Sequence, residues 1–278
     1  MSVDVAASSS ALRQNRPLMR GRRLATGLAA ATALAAAATG AALAYYVPPA
    51  DGPEVSNPCG DERATELACP DLKMAKPSGL YLTGNKLHAT SNLRSRGKGP
   101  MEIRGKRTGP RTMRVNQVIY KLGRGKLQLP TNGHLVLYYV PGQGPYWKFH
   151  HAASFELRTV GSDGDPDELV RVGPKINYCL RDLTHTDPGK GSPAHPVYPG
   201  CSQNPREKYR TLGTSPGWSD IYPASYDKNW ISVGGLHGCF WFIQRADPEN
   251  YLYESNEINN AGMRKIHLPP KGGRVHGC

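Results

Sequence analysis

TMRVNQVIYKL, residues 112–122, decides the fold. Met113, Val115, Gln117 and Ile119 alternate with Arg114, Asn116, Val118 and Tyr120. That two-residue period belongs to a β-strand with one face buried, because successive side chains of an extended chain point to opposite sides. Similar short runs follow: HLVLYYV (134–140), SFELRTV (154–160), KINYCLRDL (175–183), NWISVGGL (229–236), CFWFIQRAD (239–247) and MRKIHL (263–268). Gly, Pro and Asn separate them, and no long amphipathic helical pattern competes. Runs of this length and spacing predict an all-β sandwich with long loops over residues 70–268. The Pro-, Gly- and acid-rich residues 45–69 read as a linker, and 269–278 as a C-terminal tail.

Composition agrees. Gly and Pro together make 55 of 278 residues, about a fifth, which suits strands joined by many turns. Hydrophobic residues at 38% can fill one modest core. These values exclude a polytopic membrane protein, a coiled coil and a fully disordered chain.

The first 44 residues read as a signal peptide. Arg13, Arg16, Arg20, Arg22 and Arg23 face a single acid, Asp4. An uncharged, Ala-rich stretch then runs from Leu24 to Ala44 and ends in Ala42-Leu43-Ala44, an A-x-A cleavage pattern. Start at Met19, a twin-arginine signal at Arg22-Arg23 and an uncleaved anchor are the alternatives. Export to a secreted or cell-surface location is the expectation. Beyond residue 44 the chain keeps 30 Lys and Arg against 21 Asp and Glu. Twelve of these cations and one acid, Glu102, lie between Lys86 and Lys126. An exported basic stripe points to acidic cell-wall or matrix polymers, or acidic proteins, rather than to nucleic acid. A solvated sheet face is the plainer reading. A monomer is expected.

All six cysteines lie beyond residue 44 and none forms a C-x-x-C pair. An even number in an exported chain argues for disulfides, of which six cysteines allow fifteen arrangements. Nearness and the need to tie down both ends favour Cys59–Cys69, Cys179–Cys201 and Cys239–Cys278.

Several ordered segments carry a family resemblance: GKGPMEIRG (97–105), MRVNQVIY (113–120), SFELR (154–158), GPKINYCLRD (173–182), TSPGWSDIYPASYDKNWISVGGL (214–236) and DPENYLYESNEINN (247–260). In order and spacing they are similar to the catalytic domain of lysyl oxidases, particularly the shorter bacterial type. The resemblance implies a copper amine oxidase that converts the ε-amine of peptidyl-lysine, or a small amine, to an aldehyde. Its cofactor would be lysine tyrosylquinone, a built-in carbonyl electrophile that accepts two electrons where no ordinary side chain does. The family's cofactor lysine falls on Lys175, and its cofactor tyrosine on Tyr222 of GWSDIY.

The metal positions depart from the pattern. The family's His-x-His-x-His falls on Gly144, Tyr146 and Lys148, with Trp147 and Phe149 kept between and after them. Glycine offers no ligand, a neutral phenol is a poor one, and a lysine ammonium repels a divalent cation. One expectation is that Lys148 occupies the space of the ion. A site relocated to His150 or His151 with loop histidines (His185, His195) is another; His134 opens the preceding strand and His237 sits in a turn. Since His150 and His151 are adjacent, a regular strand would point them to opposite faces. The acids of 247–260 suggest either oxygen ligands for calcium or turn residues that close the sandwich. Two functions follow: an active copper amine oxidase using Lys175 and Tyr222, or a catalytically silent relative that binds through its basic face.

Overall fold

The computed structural model describes residues 56–189, 191–271 and 274–278, so the expected signal peptide lies outside the described residues. The strands, in chain order, are Leu67–Ala68 (β1), Leu72–Met74 (β2), Ser78–Thr83 (β3), Lys86–Ser95 (β4), Met101–Arg107 (β5), Thr112–Lys121 (β6), Lys126–Val140 (β7), Gly144–Val160 (β8) and Pro166–Val172 (β9). There follow Ile176–Tyr178 (β10), Thr184–His185 (β11), Tyr209–Thr214 (β12), Trp218–Tyr222 (β13), Trp230–Ser232 (β14), Gly238–Ala246 (β15), Ala261–Lys271 (β16) and Arg274–His276 (β17). They form two antiparallel sheets. The larger runs β12-β5-β6-β7-β8-β15-β16-β17, with β1 on β6 and both β9 and β10 on β8. The smaller runs β11-β13-β4-β14, with β2 and β3 on β4. The fold is an all-β sandwich, as the alternation predicts.

β6 shows why. Met113, Val115, Gln117 and Ile119 are buried, while Thr112, Arg114 and Lys121 are exposed. Met113 and Val115 join Met101, Ile103, Leu135, Trp147, Phe149, Phe155 and Phe242 of the large sheet, and Leu72, Met74, Leu87 and Leu93 of the small one, in a single core. Gln117 is polar on the core face, yet both ends of its amide are satisfied. Its Nε2 donates to the Tyr253 carbonyl and its Oε1 accepts from the Tyr253 N–H, each at 2.8 Å. A buried amide so paired avoids the desolvation cost of an orphan group.

β7 and β8 are longer than their sequence signals and make one hairpin, turning at residues 141–143 with Gly142 at φ +75. Residues 57–69, read as linker, are packed: a 3-10 turn over Glu62–Glu66, strand β1, and a small cluster of Cys59, Leu67, Cys69, Ile119 and Tyr253. The tail read at 269–278 continues β16 and adds β17. All three disulfides pair as nearness favours: Cys59–Cys69, Cys179–Cys201 and Cys239–Cys278.

The long loop after β10 is pinned across the outer side of β5 and β6. Cys179–Cys201 closes it, and the buried Asp182 carboxylate accepts from the N–H groups of Val197, Tyr198 and Ser215. Tyr198 donates its hydroxyl to the buried Glu102 at 2.7 Å, and its ring lies on Gly213, where any Cβ would come within 2.7 Å of it. Glycine at 213 is therefore a close-approach residue.

Candidate functional site

β8 carries the three positions where the family pattern puts histidines. Gly144, Tyr146 and Lys148 pair with Val140, Tyr138 and Val136 of β7, so they share one strand face. Lys148 is 2% exposed. Its ammonium donates to the Tyr226 hydroxyl and sits among three rings, 4.9 Å from the centroid of Tyr226, 5.4 Å from Tyr222 and 5.8 Å from Tyr146. Ring faces attract a cation through their quadrupoles, more strongly where water is excluded. Burial pulls the Lys148 pKa down to about 8, with Arg181 adding to the fall and Asp220 and Asp227 opposing it. The Lys148 side chain is thus buried among these rings and does not point into solvent.

Tyr222, on β13, is sealed in. Its ring stacks on Tyr178 at 4.0 Å and meets Tyr226 edge-on at 4.7 Å. The hydroxyl donates to Asp220 Oδ2 at 2.9 Å and accepts from the Cys179 N–H at 2.8 Å. Burial, then the neighbouring Asp220, holds the phenol well above its ordinary pKa, so it is neutral. Asp220 is itself raised to about 6 by burial, against the pull of Arg181, whose Nε lies 3.3 Å from Oδ1. Lys148, Tyr226, Tyr222, Asp220 and Arg181 form one internal polar centre.

Lys175 stands outside it. Ile176 and Tyr178 of β10 point into the core, whereas Lys175 and Asn177 line a cleft of about 410 Å³ on the opposite side. The Lys175 ammonium is ion-paired with Glu249, and no hydrogen bond, ion pair or ring contact joins it to Tyr222. The two residues assigned to one cofactor thus occupy opposite sides of the same segment, because they are separated by the strand alternation that buries Tyr178 under Tyr222.

The histidines depart from expectation. His151 has φ +54, a left-handed backbone that breaks the alternation. His150 and His151 therefore face the same way, stacked at 3.6 Å, and His134 of β7 stacks on His150 at 4.4 Å. Burial first, then the adjacent imidazoles and the Lys175 ammonium, lower His150 and His151 to about 4, so both are neutral at pH 7. Stacked rings direct their nitrogen lone pairs side by side rather than toward a point. Among the described residues no group of three or more His, Cys, Asp or Glu is placed to hold a metal ion. His185 stacks on Trp218 and bonds Ser192, away from this cluster, and His195 and His237 are exposed. No sequence signal announced the positive φ at His151.

Residues 247–260 close the sandwich by hydrogen bonding. Asp247 accepts from the Leu252 N–H, Glu254 from the Leu72 N–H and Asn260, and Glu257 from Asn57. Burial raises Asp247 to about 7 and Glu257 to about 8.

The basic stripe of the sequence divides. Lys86, Arg94 and Arg96 belong with β4 in the small sheet, where Lys86 covers the Trp230 ring and Arg96 pairs with Asp187. Arg104, Lys106 and Arg114 lie on the outer face of the large sheet and line a second cleft, of about 570 Å³, with Tyr209. Neither the protein-family models nor the curated proteins contain a match to this chain.

Proposed function

We propose that this chain is a non-oxidative relative of the lysyl oxidases, an exported, disulfide-stapled sandwich that works by binding acidic polymers. The observation that carries the reading is Lys148: a buried ammonium among Tyr146, Tyr222 and Tyr226, on the strand face where the family pattern calls for imidazoles. Copper does not fit this pocket. The three strand positions offer a glycine, a phenol and an ammonium, and a cation already fills the centre. The Tyr222 phenol is held neutral with both hydrogen-bonding directions used, and Lys175 is engaged by Glu249 on the other side of the segment.

The competing reading is a copper amine oxidase acting on peptidyl-lysine or small amines through a Lys175–Tyr222 quinone. It draws on the resemblance of the ordered segments alone. One experiment separates the two. The full chain, with its disulfides oxidised, is incubated aerobically with Cu(II) and desalted. Bound copper, intact mass and visible quinone absorbance are measured on the same sample, with peroxide release from an amine substrate as the activity readout. The binding reading expects no retained copper, an unmodified Tyr222 and no peroxide. Stoichiometric copper with a Lys175–Tyr222 cross-link would establish the oxidase instead.

A further inference from the structure

Three clefts on the large sheet adjoin through shared lining residues. The cleft at Arg104, Lys106 and Tyr209 shares Thr108 and Arg114 with a neighbour of about 360 Å³, which in turn shares Thr112 with the cleft at Lys175. Together they form a trough from β12 across β5, β6 and β7 to the His150–His151 stack. Among the described residues no Asp or Glu lines any of the three.

The register explains the charge. Tyr209 of β12 stands opposite Lys106 of β5, Lys106 opposite Arg114 of β6, and Arg114 opposite His134 of β7. These four side chains make one row about 14 Å long across four strands. Like charges directly opposite each other on a sheet are destabilising. Lys106 and Arg114 are such a pair, exposed, and among the described residues neither makes an ion pair or side-chain hydrogen bond. Arg111 and Lys228, at the far end, also lack an acidic partner: Arg111 donates to the Leu137 carbonyl and Lys228 lies over the Tyr138 ring. The acids behind the lining are engaged by other groups: Glu102 with Arg104, Glu207 with Arg210, Glu249 with Lys175 and His151, and Asp227 with the Tyr138 hydroxyl; among the described residues none ion-pairs with these four cations.

We infer that this trough binds a linear acidic polysaccharide, its carboxylates on Lys106, Arg114, Arg111 and Lys228 and a sugar ring on Tyr209. Arginine's planar fork matches a carboxylate in two bonds. The Tyr209 ring is 66% exposed beside that row, an apolar face for a pyranose to cover. Asn116, Gln128 and Thr211, which line the same cleft, supply the amide and hydroxyl groups that sugar hydroxyls require and a bare polyphosphate does not. This rests on the binding reading above and names its ligand class and site. Lys175 then serves as part of the trough wall.

The test uses the full chain with its disulfides formed and polygalacturonate as probe, with dextran as neutral polymer and a single-stranded oligonucleotide of matched charge. Binding is measured by calorimetry at 50 and 150 mM salt. K106E/R114E is expected to weaken polygalacturonate binding at least tenfold, and Tyr209→Ala several-fold, with unchanged thermal midpoints. R171E/R274E, the same charge change at exposed sites away from the trough, is expected to stay within twofold. Equal losses in both double variants would reduce the effect to net charge and overturn the site. Tighter binding of the oligonucleotide would overturn the ligand class. No polymer binding by the wild type would overturn both the trough and the binding function, even with copper absent. Copper retention with polymer binding intact would overturn only the non-oxidative reading.

Discussion

The ammonium of Lys148 lies 5.4 Å from the centre of the Tyr222 ring, inside the core and out of reach of water. One residue is a cation on β8 and the other a neutral phenol on β13, so the pair ties the large sheet to the small one. The same centre includes Asp220 and Arg181, so two cations share one buried carboxylate there.

Replacing Lys148 tests what its charge and its volume each contribute. Lys148→Ala removes the Tyr226 bond and the cation among the rings and leaves a cavity, so a loss of about 3 kcal/mol or more is expected. Lys148→Met, which keeps the volume, should lose less. Urea unfolding of both variants checks the ordering, and equal losses would mean that the ammonium and its bond, not the filled volume, account for the whole effect.

Tyr222→Phe deletes the hydroxyl that Asp220 and the Cys179 N–H share. Leaving those buried groups unmatched costs about 1–3 kcal/mol. Polygalacturonate binding should not change, since Tyr222 does not line the trough.

Two sets of groups give the stability opposite pH dependences. Asp247 and Glu257 are raised to about 7 and 8 by burial, so the folded state holds their protons more tightly than the unfolded chain. Their favourable contribution is full in acid and is lost as the pH rises through 7 to 8. Asp247→Asn should flatten that alkaline limb of a plot of thermal midpoint against pH.

His150 and His151 act the other way. Their folded pKa of about 4 lies below the ordinary imidazole value of 6.5, so the stability they provide is present above pH 6.5 and lost as the pH falls toward 4. H150N/H151N should reduce the acid slope and leave the alkaline limb in place.

Reducing Cys179–Cys201 frees the loop that Asp182 and Tyr198 hold over β5 and β6. A 22-residue separation corresponds to about 3 kcal/mol of chain entropy in the unfolded state. C179S/C201S should show that loss in urea, with early proteolytic nicking between residues 186 and 208.

Strand alternation, the turn residues and cysteine spacing were enough to determine the all-β sandwich and its three disulfides, because each is a local property of neighbouring residues. Gln117 illustrates the limit: its place in the period put it on the core face, but Tyr253, 136 positions away, satisfies it. The side chains at Gly144, Tyr146 and Lys148 were also legible as a non-matching donor set. Only the tertiary structure decided where they go. The Lys148 cage draws on β8, β13 and the turn at Tyr226. Lys175 and Tyr222 are both present in sequence, but the alternation around Tyr178 puts them on opposite sides. The His150–His151 stack depends on a positive φ that no residue pattern encodes, and the trough on which strands lie side by side. Sequence order fixes what a strand presents on each face, whereas a site depends on which strands meet, and long-range packing selects that.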